Sequence, residues 1–138
     1  MAHPFDISRL DHVAINVKDM HVSMAWYEKV LGLKQVKVPE WGAYPVFMLA
    51  GETGIAIFPA DLQDAECPKD TNHIKIDHFA FTVSNQAYSA AIDHYSNLGI
   101  SFTEKDHHHF LSVYTKDPDG HTVELTTLKA SSADFYQP

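Results

Sequence analysis

The sequence predicts an α+β fold built from two βαβββ modules, and three observations carry that prediction. Leu10-Asp11-His12-Val13-Ala14-Ile15-Asn16-Val17 is nearly repeated 66 residues later as Ile76-Asp77-His78-Phe79-Ala80-Phe81-Thr82-Val83. Each copy leads into a stretch of helical periodicity that stops at a glycine, Gly32 or Gly99. Three short apolar segments separated by turn residues follow each glycine. At 138 residues and 45% apolar content the chain suits one well-cored domain rather than two independent ones. The modules are therefore expected to be half-domains sharing a core, spanning about 8–58 and 76–128, with a linker at 59–75 and a tail at 129–138.

In the first strand Val13, Ile15 and Val17 share one face, leaving His12, Ala14 and Asn16 on the other. Asp19 is placed to cap a helix that runs to about Leu31, with Met20, Met24, Tyr27 and Leu31 on one stripe and Trp26 and Val30 beside it. Strands are expected near 34–38, 44–50 and 54–58, separated by Pro39-Glu40-Trp41-Gly42 and Gly51-Glu52-Thr53-Gly54. Residues 59–75 are charged and aperiodic, as a connection would be.

The second module repeats the order. Ser84 or Asn85 caps a helix carrying Tyr88, Ala91, Ile92, Tyr95 and Leu98 at helical spacing. Strands are expected near 100–104, 110–116 and 121–128, the last two joined by the turn Asp117-Pro118-Asp119-Gly120. The tail is polar apart from Phe135 and Tyr136, and the sequence leaves open whether it is ordered.

Lys and Arg total 10 against 18 Asp and Glu, a formal charge of −8 that repels nucleic-acid phosphates and anionic membranes. No apolar run approaches the roughly 20 residues needed to span a bilayer. Cys67 is the only cysteine, so no intrachain disulfide forms, and it has no activating partner in sequence. The first residues lack the basic and apolar regions of a signal peptide, so the expected location is cytoplasmic.

His12 and His78 both leave the apolar face of their strands, where they offer a metal two equivalent ligands. On the last strand Glu124 sits mid-strand, and a buried carboxylate there would cost several kcal/mol without a partner. A cation is the natural partner. Two histidines and one carboxylate suit Fe(II), Mn(II), Zn(II) or Ni(II), and leave coordination positions open for small molecules. Carried back through the repeat, Glu124 corresponds to Ile57 or Phe58, neither of which ligates. His107-His108-His109 reads as a solvated turn from which one or two rings line a pocket. Trp41, Tyr44 and Met48 are candidates for a pocket wall, and His121 is expected to flank the last turn at the surface.

The paired Asp-His starts, the segment Trp26-Tyr27-Glu28-Lys29-Val30-Leu31-Gly32-Leu33, and the run from Tyr114 through Asp117-Pro118-Asp119-Gly120 to Glu124-Leu125 resemble the vicinal oxygen chelate superfamily. That superfamily includes glyoxalase I, extradiol dioxygenases, fosfomycin resistance proteins, methylmalonyl-CoA epimerase and metal-free bleomycin resistance proteins. The resemblance covers about residues 8–128. It implies a cupped, mostly antiparallel sheet around a metal, often at a homodimer interface, with His12, His78 and Glu124 as ligands and Tyr114 as a catalytic residue.

Within the superfamily, Ile57 removes the fourth ligand usual in glyoxalases. The resulting expectation is an extradiol-type dioxygenase acting on a catechol-like small molecule. The alternatives are a glyoxalase-like isomerase or lyase, a fosfomycin-resistance-type enzyme, and a metal-free binding protein. Extradiol members carry a histidine in the stretch corresponding to 57–61, which has none here. His73 or one of His107, His108 and His109 would have to supply it. Fosfomycin enzymes of the thiol-transferase type hold a phosphonate with basic and hydroxyl residues before the tyrosine strand and an arginine after the glutamate, whereas the only arginine here is Arg9.

Overall fold

The computed structural model describes residues 3–61, 64–66, 74–129, 131 and 135–136. The chain divides into two units, residues 1–65 and 66–138. The first holds β1 (His12–Val17), α1 (Met20–Leu31), β2 (Lys34–Lys37), a single 3-10 turn at Pro39–Trp41, β3 (Val46–Ala50) and β4 (Thr53–Pro59). Its strand order is β1-β4-β3-β2. β1 runs parallel to β4 and the other pairs are antiparallel.

Local chemistry sets these limits. The Asp19 side chain accepts the Val22 N–H, and Gly32 closes α1 in the left-handed conformation at φ 68°. Pro45 has no N–H to give to a ladder, so the strand expected from Tyr44 begins at Val46. Ile15, Val17, Val46, Met48, Ile55 and Ile57 are buried on one face of the sheet, with Met24, Tyr27 and Val30 of α1 buried alongside. At ~25 cal/mol per Å2, each such side chain contributes roughly 1.5–3 kcal/mol to the fold.

The second unit holds β5 (Phe79–Thr82), α2 (Asn85–Leu98), β6 (Thr103–Asp106), β7 (Phe110–Lys116) and β8 (Thr122–Leu128), in the order β5-β8-β7-β6. β5 is parallel to β8, and the remaining pairs are antiparallel. Ser84 is the residue that caps α2, accepting the Ala87 N–H, and Gly99 ends the helix at φ 69°.

Two expected elements move. His78 lies just before β5 rather than within it. The strand expected at 100–104 starts at Thr103, because the Ile100 N–H is bound to the Tyr95 carbonyl at the end of α2 and is lost to the ladder. The last turn is held by Asp117, whose Oδ1 accepts the N–H groups of Asp119 and His121, each at 2.9 Å. Among the described residues, no helix is long and apolar enough to cross a membrane. The architecture is the expected α+β pair of βαβββ units.

Candidate metal centre

In the second unit the strand register lines up Ala80, Glu124, Tyr114 and Thr103 in one row across β5, β8, β7 and β6. Val123, Leu125 and Thr127 of β8 have the opposite parity and are buried. The neighbouring row on Glu124's side is Thr82, Thr126, Ser112 and Lys105, with Ser112 Oγ and Thr126 Oγ1 hydrogen-bonded at 3.0 Å. This face is a polar surface with one buried carboxylate, Glu124 at 8% exposure.

His78, two residues before Ala80, reaches the same place: its Nε2 is 3.5 Å from Glu124 Oε2. Its Nδ1 lies 2.7 Å from Asp77 Oδ2. That hydrogen bond to His78 is the main reason the Asp77 carboxyl sits below the ordinary carboxylate range. An ionised carboxylate only accepts, so Nδ1 donates to Asp77 and Nε2 is the ring nitrogen that faces Glu124. A proton or a cation between Nε2 and the carboxylate joins the two. At 3.5 Å the gap exceeds the ~2.7–2.9 Å of a charge-assisted hydrogen bond. It suits two donors each about 2.1 Å from one ion. His78 and Glu124 thus offer two of the donors that a divalent metal would need, with Asp77 fixing the histidine from behind.

Tyr114 completes the cluster. Its ring stands edge-on to His78, with centroids 5.5 Å apart, and Glu124 is its cross-strand neighbour. Burial first, then hydrogen bonding to Glu124 and its charge, push the phenol up to about 12. His107 Nε2 lies 2.9 Å from the same hydroxyl, and Lys105 Nζ stands 5.4 Å from the ring centroid.

The first unit repeats the frame without the chemistry. His12 Nδ1 is 2.8 Å from Asp11 Oδ2, and its ring meets Phe47 edge-on at 5.0 Å. The register row is Ala14, Ala56, Phe47, so Ala56 occupies the place that Glu124 takes in the second unit, not Ile57 or Phe58 as the repeat in sequence suggested. The cause is pairing offset: Ala14 pairs with Ala56, 42 residues on, while Ala80 pairs with Glu124, 44 residues on. Ile57 is fully buried on the opposite parity. Beside His12, Gly54 is required by close approach, since a Cβ there would overlap the Met48 carbonyl.

The second unit thus brings His78, Tyr114 and Glu124 together, and His12 holds the matching position in the first. Among the described residues, no three His, Cys, Asp or Glu side chains of one unit gather as a metal-binding group. Of the expected wall residues, Trp41 packs on Phe47 at 5.6 Å and Tyr44 on Phe58 at 6.4 Å, both half exposed. Met48 does not line a wall; it is fully buried on the apolar parity of β3, with Val46. Of the histidine run only His107 reaches Tyr114, while His108 and His109 pack on each other. Cys67 and His73 lie outside the described residues. Sequence reasoning missed the roles of Asp11 and Asp77, although the Asp-His pair in both copies was a signal for them. It had no signal that would single out His107 from its neighbours.

Residues 9–125 match the family described as Glyoxalase/Bleomycin resistance protein/Dioxygenase superfamily. Among curated relatives, the metallothiol transferase FosB of Lysinibacillus sphaericus is 27% identical over 135 residues, covering 95% of this chain and 91% of that protein. The glutathione transferase FosA of Serratia marcescens is 24% identical over 119 residues, covering 86% and 80%. Among solved structures, a glyoxalase/dioxygenase from Nostoc punctiforme superposes with a TM-score of 0.76 at 22% identity, covering 94% of this chain and 97% of that one.

Proposed function

Given that the chain belongs to the Glyoxalase/Bleomycin resistance protein/Dioxygenase superfamily, we propose that it is a metal-dependent transferase that adds a thiol to a small oxygenated electrophile such as an epoxide, with His12, His78 and Glu124 as the metal ligands. The observation that carries this reading is the facing of His78 Nε2 and Glu124 Oε2 beside the Tyr114 hydroxyl. The transferase names of the curated relatives support it.

A divalent ion held there supplies Lewis-acid stabilisation of negative charge developing on a substrate oxygen. The protein's own groups do the rest. Asp11 and Asp77 hold the two imidazoles by Nδ1, which leaves Nε2 as the nitrogen each ring would offer to the ion. Tyr114 keeps its proton at neutral pH and offers it to the oxygen that gains charge. Lys105 shares the face, and Lys116 donates to Thr122 at its edge, giving an anionic substituent two ammonium groups in place of an arginine.

The dioxygenase expectation has one feature in its favour: His107 beside Tyr114 is an imidazole where an acid–base group would be needed. A single experiment separates the readings. Protein purified anaerobically without a tag is loaded with Mn(II) or Fe(II) and given fosfomycin with glutathione or cysteine, or a catechol with oxygen. Thiol transfer predicts an adduct of summed mass, formed without oxygen and absent in Glu124→Ala. Oxygen uptake with catechol and no adduct from metal-loaded protein would overturn it.

A further inference from the structure

The turn between β6 and β7 is built by side chains that the metal set does not use. Asp106 Oδ1 accepts the His108 N–H at 2.9 Å, while its Oδ2 takes Lys129 Nζ at 2.8 Å. The Lys129 N–H in turn donates to the His109 carbonyl at 2.8 Å, tying the turn to the end of β8. The His107 N–H donates to the Phe110 carbonyl and its carbonyl accepts the His109 N–H, both at 2.8 Å. His108 makes the reversal at φ 71°. The backbone of His107 is therefore held from both sides, and its ring reaches out of the turn to end 2.9 Å from the Tyr114 hydroxyl.

The hydroxyl has one proton and two lone pairs, and the Glu124 carboxylate only accepts. Tyr114 has the Glu124 carboxylate as its cross-strand neighbour and His107 Nε2 at 2.9 Å from its hydroxyl. A carboxylate takes the phenolic proton in preference to an imidazole, which leaves a lone pair for His107 and makes its Nε2 the donor. We propose that His107 is a positioning residue: its Nε2–H fixes the rotation of the Tyr114 phenol so that the phenolic proton points to the His78–Glu124 side. This rests on the transferase reading only for the identity of the oxygen the proton meets. The orientation itself stands on the hydrogen bonds of the second unit.

A phenol free to rotate spends part of its time with the proton turned to water, so removing His107 lowers the productive fraction without removing the acid. The test has two arms. In the metal-free protein, carbon NMR of ring-labelled tyrosine identifies the Tyr114 Cζ signal by its loss in Tyr114→Phe. That signal is expected to move in His107→Ala and to keep its wild-type position in His107→Gln, whose amide still donates. In the Mn(II)-loaded protein with fosfomycin and glutathione, His107→Ala is expected to lower kcat about tenfold with KM little changed, and to cause no further loss in a Tyr114→Phe background. An unmoved Tyr114 signal in His107→Ala, or an equal loss in both backgrounds, would overturn the proposal. If the wild type makes no adduct, the transferase reading fails and the NMR arm alone decides the role of His107.

Discussion

Phe47 and Tyr114 hold the same position in their respective units, each standing edge-on to the histidine of its unit's Asp-His pair, His12 or His78, at centroid distances of 5.0 and 5.5 Å. The two differ by one hydroxyl, and only the unit with the hydroxyl has a carboxylate as its cross-strand neighbour. Tyr114→Phe therefore converts the second unit's aromatic to the first unit's version. The ring packing is expected to survive, with an unchanged circular dichroism spectrum, while turnover falls about a hundredfold, the usual size of a lost general acid.

Glu124 is expected to have opposite effects with and without a cation. Its buried carboxylate lies 3.5 Å from His78 Nε2, beyond charge-assisted hydrogen-bond reach, so the neutral Glu124→Gln is expected to raise the melting temperature of the metal-free protein by about 3 °C, as relief of ~1 kcal/mol would. The same variant is expected to lose the stabilisation that added Mn(II) gives the wild type. Thermal melts with and without Mn(II), paired with elemental mass spectrometry, read both effects.

Asp77 touches no substrate in this scheme, yet it sets which nitrogen of His78 is free. Asp77→Asn is expected to weaken Mn(II) binding about 10- to 100-fold, measured by calorimetry. Its carboxyl lies below the ordinary value in the folded protein. That contribution is present above the unfolded value near 4 and is lost as pH falls through the folded one. The variant's acid unfolding curve should lack that part of the slope.

Tyr95 carries a buried hydroxyl with no hydrogen-bond partner among the described residues, and burial pushes it up to about 12. Tyr95→Phe is expected to stabilise the protein by about 1 kcal/mol, since the unmet desolvation cost disappears with the oxygen. The sign of the pH effect follows from the raised value. Below pH 10 both states hold the proton and the contribution is complete. Between 10 and about 12 the unfolded chain alone loses it, so stability falls as pH rises. Tyr88, also raised to about 12, acts in the same direction. Urea melts at pH 9 and 11 should show a smaller drop in Tyr95→Phe than in the wild type.

Much of this was legible in the chain because it depends on local signals. The Asp19 and Ser84 caps, the two helix-ending glycines and the period-two strands each act over a few residues, and the elements stand within a few residues of where those signals place them. What the sequence hid depends on register. A repeat measured along the chain put Glu124 opposite Ile57 or Phe58, while pairing offsets that differ by two residues between the units put it opposite Ala56. The burial of Met48 was hidden likewise, because its parity is fixed by its partners rather than its neighbours. His107 could not be told from His108 and His109 until the turn assigned one ring to Tyr114.

β8 is the last strand of its unit to be made and is hydrogen-bonded on both flanks, to β5 and to β7. A ribosome releases β5, α2, β6 and β7 before the strand that joins them, so β5 waits with an unpaired edge until residues 122–128 emerge. His78 is synthesised 46 residues ahead of Glu124 and meets it only when that central strand zips in. The His78–Glu124 pair thus forms only after β8 has been made: a nascent chain stopped short of Thr122 has the histidine, its aspartate and its tyrosine, but not the carboxylate that faces them.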